Sequence, residues 1–64
     1  MNIIINGNSE AGDYSTVENL LTERDLDPKL VVVELNGKVV PKTDYNQPLK
    51  DGDSVEIIQF VAGG

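Results

Sequence analysis

Two Asn-Gly dipeptides, Asn6-Gly7 and Asn36-Gly37, constrain this chain more than any other feature. Each is flanked by apolar residues, in "NIIINGN" and in "LVVVELNGKVVP". A two-residue type I′ turn needs positive φ at both central positions, and Asn followed by Gly meets that need at least cost. The sequence therefore predicts two hairpins. The first joins a strand over Asn2 to Asn6 to a weakly marked return strand around Asn8 to Ala11. The second places Val31, Val33 and Leu35 on one face and Val32 and Glu34 on the other, since strand side chains alternate. Pro41 stops its return strand, which suits a short edge strand.

Between the hairpins, "YSTVENLLTERDL" predicts a helix of about ten residues. Ser15 and Glu18 have capping-box spacing, and Val17, Leu20 and Leu21 form one apolar stripe. Asp27-Pro28 ends the segment, because a residue before proline disfavours the helical region. "KTDYNQPL" reads as a loop with a helical turn; Pro41 just before it and Tyr45 within it pack the loop, and Lys42 is a solvated surface residue. Asp51-Gly52-Asp53 is turn chemistry rather than a metal site, since the calcium-loop pattern is missing. A last strand runs from Ser54 to about Phe60. Val55 and Ile57 share one of its faces; Glu56, Ile58 and Phe60 share the other.

The predicted order is strand, strand, helix, strand, strand, strand. That is an α+β fold: a mixed sheet of about five strands with one main helix packed on one face. A core is within reach, because 20 of the 64 residues are Leu, Ile, Val or Phe. With one helix to cover the sheet, Ile58, Phe60 and Val32 are left as an exposed apolar patch beside the chain's end. Patches of that kind mark protein interfaces.

Composition removes several classes of function. Cysteine and histidine are both absent, which rules out disulfides, most metal sites and most nucleophilic catalysis. Eleven Asp and Glu stand against five Lys and Arg, the opposite of a nucleic-acid or anionic-membrane binder; a basic protein partner fits. Met1 is followed by an apolar run of only three residues, so neither a signal peptide nor a membrane span is expected, and a cytoplasmic protein is the default.

The sequence runs from its last strand into Val61, Ala62, Gly63 and Gly64. These four read as a flexible tail on a single domain spanning 1–64. Fully extended, they span at most about 14 Å. Glycine offers no side chain to obstruct a narrow channel and accepts the φ/ψ such a channel imposes.

The block "LKDGDSVEIIQFVAGG", together with "VVVELNGKVVP" and the ring of Tyr45, resembles the ThiS family, sulfur carriers of thiamine biosynthesis with the ubiquitin-like β-grasp fold. The resemblance covers the whole chain. Tyr45 stands where many relatives carry tryptophan or another aromatic, and Ala62 replaces a glycine of some members. Membership implies that a ThiF-like partner adenylates the Gly64 carboxylate with ATP. Sulfur from a donor protein then replaces one oxygen, and the thiocarboxylate passes sulfur to a ThiG-like thiazole synthase. The carrier itself is then a protein cosubstrate, not an enzyme, and needs no cofactor. Ile58, Phe60, Val61, Ala62 and Gly63 are its expected partner-binding residues, and Gly64 its reacting one. Two other readings stay open: a MoaD-like carrier for molybdopterin synthesis, and a β-grasp interaction module that never reacts. A conjugated ubiquitin-like modifier is a weaker third.

Overall fold

The computed structural model of the protein describes residues 1–60. The elements are β1 (Asn2–Ile5), β2 (Asn8–Ala11), α1 (Val17–Glu23), β3 (Val31–Leu35), β4 (Lys38–Val40) and β5 (Ser54–Gln59). Two 3-10 turns, Pro28–Leu30 and Lys42–Asp44, punctuate the loops. The sheet order is β2-β1-β5-β3-β4. β1 and β5 are parallel and every other pair is antiparallel, so the expected mixed five-stranded sheet is present.

Both Asn-Gly pairs form the expected turns. Asn6 and Gly7 have φ of 49° and 84°, Asn36 and Gly37 of 52° and 86°, the double positive φ of type I′. Their asparagines do more than turn the chain. Asn6 Oδ1 accepts a hydrogen bond from the Ile57 N–H at 2.7 Å. Asn36 Oδ1 accepts from the Ser54 N–H at 2.9 Å, and its Nδ2 donates to Asp53 Oδ1 at 3.0 Å. The two turns thus grip β5 from its two sides. The Asp51-Gly52-Asp53 turn completes the grip: Asp51 accepts from the Asn2 N–H, and the Gly52 N–H donates to the Asn2 carbonyl.

α1 lies across one face of the sheet. Val17, Leu20 and Leu21 are buried against Ile3 and Ile5 of β1, Val31 and Val33 of β3, and Val55 and Ile57 of β5. Fully burying such a side chain is worth about 1.5–3 kcal/mol. No polar or charged side chain is buried among the described residues, so the core is held by apolar packing alone.

The helix differs from its sequence reading at both ends. Its N-cap is Thr16, whose side chain accepts from the Asn19 N–H at 3.0 Å, while Asn19 Oδ1 accepts from the Ser15 N–H at 3.1 Å. The cap is therefore one residue later than the Ser15–Glu18 spacing predicts, and it is not a reciprocal box, because the Asn19 side chain takes the N–H of Ser15 rather than that of Thr16. The cause is distant in sequence: the carbonyls of Tyr45 and Gln47 take the N–H groups of Glu18 and Val17. At the other end, α1 stops at Glu23, well before Pro28, because Asp25 adopts φ 58°. The N–H of Leu26 then reaches the Leu21 carbonyl, and that of Asp25 the Thr22 carbonyl, the paired bonds of a Schellman stop. The helix has seven residues rather than about ten.

Replacing Asn36 with Ala removes two side-chain hydrogen bonds and puts a Cβ-bearing residue without a local polar partner at positive φ. Expected destabilisation in urea unfolding is about 2–3 kcal/mol. Asn36→Gly keeps the turn and loses only the bonds, so it costs about 1 kcal/mol less.

Candidate functional site

The reactive end named by the sequence reading is carried by β5. Val61, Ala62, Gly63 and Gly64 lie outside the described residues, so the site here is the platform from which they depart. β5 occupies the middle of the sheet and pairs along its whole length with β3, from Leu35↔Val55 to Val31↔Gln59. One step further, the Phe60 N–H donates to the Leu30 carbonyl at 2.9 Å. The backbone is therefore held up to Phe60, the last described residue.

Alternation along β5 sends Val55 and Ile57 into the core and leaves Glu56, Ile58 and Phe60 on the opposite side. Ile58 is 47% exposed and Phe60 55%. Half-buried Val32 is directly paired with Ile58, and exposed Val39 of β4 and Ile4 of β1 lie on the same bare face. The apolar patch expected around Ile58, Phe60 and Val32 is thus present, and it is wider than expected. Exposed Leu30 sits at its end beside Phe60.

Glu34 and Glu56 face each other across β3 and β5 on this outer surface. Like charges directly opposed in an antiparallel pair are unfavourable. A basic group brought by a partner would relieve that repulsion. The apolar patch and the paired carboxylates together suit a partner surface that is apolar with a cationic rim.

Lys42 is not the freely solvated residue of the sequence reading. Its Nζ donates to the carbonyls of Pro28 and Val31, both at 2.8 Å, and stands 5.8 Å from the centre of the Tyr45 ring. The reason is the shortness of β4. Its pairing with β3 begins at Val33↔Val40, leaving the Val31 carbonyl without a strand partner, and the ammonium takes it. Tyr45 packs as expected, 5% exposed, below a shallow apolar hollow of about 200 Å³ also lined by Val31, Val32, Val39, Val40, Pro41 and Lys42. Burial pushes its phenol above the ordinary value of 10.0.

Asp51 and Asp53 serve the turn: Asp53 Oδ2 accepts from the Lys50 N–H at 2.8 Å. Among the described residues no three metal-ligating side chains cluster, and no helix is long and apolar enough to cross a membrane. Sequence reasoning missed the side-chain roles of Asn6, Asn36 and Lys42. Their partners are 51, 18 and 11 or 14 residues away, beyond any local pattern.

Comparison with known proteins agrees with this geometry. The model of the ThiS family matches residues 3–64. The sulfur carrier protein ThiS of Bacillus subtilis is 40% identical over 53 residues, covering 81% of this chain and 80% of that one. A thiazole synthase of Paramagnetospirillum magneticum is 44% identical over 66 residues; the match takes in all of this chain but only 20% of that protein. The chain thus spans about a fifth of the length of that relative. The crystal structure of a thiamine biosynthesis protein, ThiS, from Geobacter metallireducens superposes with a TM-score of 0.84 at 35% identity, over the full length of both chains.

The Tyr45 shift has a sign that can be checked. The unfolded phenol loses its proton first, so the unfolded state is favoured where the folded phenol still holds one. The stability that depends on this group is complete below pH about 10 and falls as pH rises through the higher folded value. Tyr45→Phe should flatten that alkaline loss in unfolding measured from roughly pH 9 to 12, either side of the ordinary phenol value.

Proposed function

We propose, from the fact that this chain belongs to the ThiS family, that it is the sulfur carrier of a thiazole-forming step in thiamine biosynthesis, with its reactive atom at the Gly64 carboxyl. The observation that carries the reading is positional. The strand that leads to Gly64 is the central one of the sheet, held by β1 and Asn6 on one side and by β3 and Asn36 on the other, and the apolar face beside its end is bare.

The chemistry asks little of the carrier's own side chains. A ThiF-like enzyme binds ATP, and a Gly64 carboxylate oxygen attacks the α-phosphate, expelling pyrophosphate. The terminal sulfur of a donor protein's persulfide attacks the acyl carbon and AMP leaves; a second thiol then cleaves the resulting acyl disulfide, forming a disulfide with the donor's sulfur and releasing the thiocarboxylate. Holding a carboxylate in line with a phosphate in a site that excludes water is the partner's task. Residues 61–64 would extend into that site, and the absence of side chains on Gly63 and Gly64 suits a narrow entry. ATP belongs to the activating enzyme. The carrier acts as a cosubstrate, consumed and recharged in each cycle.

The relatives named thiazole synthase support the second partner. A whole carrier-like unit within a synthase chain places sulfur donor and acceptor on one polypeptide, which raises their effective concentration. Docking through Ile58, Phe60 and the backbone of 61–63 would bring the Gly64 carboxyl to that acceptor. Family membership and the named relatives favour this pathway over a molybdopterin carrier or a module that never reacts.

Intact mass spectrometry tests the central step. With an adenylating enzyme, ATP and a sulfur donor, the chain should gain the mass difference of sulfur for oxygen, and the gain should vanish when Gly64 is removed or one residue is added after it. A non-reactive module would bind its partner equally well with the extra residue. In the same assay Phe60→Ser should lower the affinity for either enzyme roughly tenfold, the cost of truncating one well-packed apolar contact. Its unfolding free energy should change by less than about 1 kcal/mol, as for a surface position. An unfolded Phe60→Ser would place Phe60 in the core and remove it from the docking face.

A further inference from the structure

β5 is an interior strand with an uncovered half. Its even-numbered residues point their backbone groups at β3: the Asn36 N–H donates to the Ser54 carbonyl, and the Phe60 N–H to the Leu30 carbonyl. Its odd-numbered positions, starting from Asp53 in the turn before it, point at β1. There the Asp53 carbonyl accepts from Ile4 and the Val55 carbonyl from Asn6, and the Ile57 N–H is taken by Asn6 Oδ1. β1 then ends, paired with β5 at only two positions, Ile4↔Ser54 and Ile5↔Val55. The next groups along this edge are the Ile57 carbonyl and the N–H and carbonyl of exposed Gln59. Among the described residues none of the three has a hydrogen-bond partner.

The spacing of these groups is informative. One residue of a parallel strand donates to the carbonyl of position i−1 and accepts from the N–H of position i+1. Ile4 sits in this way opposite Ser54. The Ile57 carbonyl and the Gln59 N–H offer the same slot opposite Ile58. A strand entering beyond the Asn6-Gly7 turn would carry on where β1 stops. Its residue opposite Ile58, and the one two further on opposite Phe60, would project on the outer face against two exposed apolar side chains. An exposed strand edge beside alternating apolar contacts is the arrangement used when a partner adds a strand to a sheet.

We propose that this half-open edge of β5 is a strand-docking site for an extended segment of the thiazole synthase, one bearing apolar residues at alternate positions. The proposal rests on the sulfur-carrier reading above. The occupant follows from distance. Residues 61–64 span at most about 14 Å, so an enzyme that holds Gly64 in its active site must lie against the end of β5. The uncovered backbone groups are the hydrogen-bonding groups it meets first. Added backbone bonds would fix the direction in which 61–64 leave the fold.

Two substitutions separate backbone from side chain. Gln59→Ala keeps the N–H; Gln59→Pro deletes it while sparing the bonds of Ile58 and Phe60 to β3. Both should retain the fold, since proline is tolerated where a strand's N–H faces an open edge. Calorimetry against the organism's own thiazole synthase should show Gln59→Ala binding like the unaltered chain and Gln59→Pro binding roughly tenfold more weakly. Amide hydrogen exchange should show the Gln59 N–H unprotected in the free chain and protected in the complex. Equal affinities for the two variants, or exchange at Gln59 as fast in the complex as in the free chain, would overturn the docking edge and leave the carrier reading standing. Protection at Gln59 without synthase at high concentration would assign the edge to a second copy of this chain. Failure of the unaltered chain to bind the synthase would remove the carrier reading's acceptor and this proposal with it. Should Gln59→Pro unfold, the exchange measurement on the unaltered chain decides alone.

Discussion

The structure depends on how its middle strand is held. β5 is the last strand in sequence and the central one in space, and each side of it is secured differently. Towards β3 it has a full antiparallel ladder. Towards β1 it has a two-residue parallel pairing, extended by the side chain of Asn6. An amide side chain thus stands in for a missing strand residue. This lets β1 be short and turn back early into β2, and it leaves the lower part of β5 uncovered. The core beneath follows from the same placement, since Val55 and Ile57 lie between Ile3 and Ile5 on one side and Val31 and Val33 on the other.

The two faces of the sheet divide the work. The inner face, under α1, is fully apolar and closed, and it supplies the stability. The outer face carries Ile4, Val32, Val39, Ile58 and the opposed pair Glu34 and Glu56, an apolar and acidic surface that the fold leaves largely open and that suits a partner. Phe60 stands where this face meets the departing chain. The proposed carrier role draws on both faces: one keeps a very small domain folded, and the other would meet the enzymes that handle its end.

What was legible in the sequence was legible because its cause is local. The Asn-Gly turns, the alternation of Val31 to Leu35 and of Val55 to Phe60, and the apolar stripe Val17, Leu20, Leu21 all follow from residues within a few positions of one another. The bare outer patch followed as well, because one helix cannot cover both faces of a sheet. The misplaced capping box had a distant cause: the carbonyls of Tyr45 and Gln47 decide where α1 begins. The early stop at Asp25 was hidden because aspartate is an uncommon choice at positive φ, where glycine is the usual sign of a helix end. Lys42 was misread because its role depends on where β4 runs out. The site divides in the same way: Ile58 and Phe60, assigned by alternation, lie exposed on the outer face, residues 61–64, assigned by family likeness, lie outside the described residues, and the clamps Asn6 and Asn36 read only as turns.

The position of β5 also governs how such a chain comes into being. The contacts between Asn2 and Asp51 and between Asn6 and Ile57 join points 49 and 51 residues apart, nearly the whole length of the chain. Closing so long a loop must precede the gain from the contacts it brings, which slows folding. On the ribosome, the hairpins and helix emerge before the strand that unites them exists. A product cut short before Ser54 has two hairpins and a helix with no common sheet, and remains open to proteolysis. Folding thereby acts as a check on synthesis: survival of the domain requires that translation has reached the strand that unites the sheet.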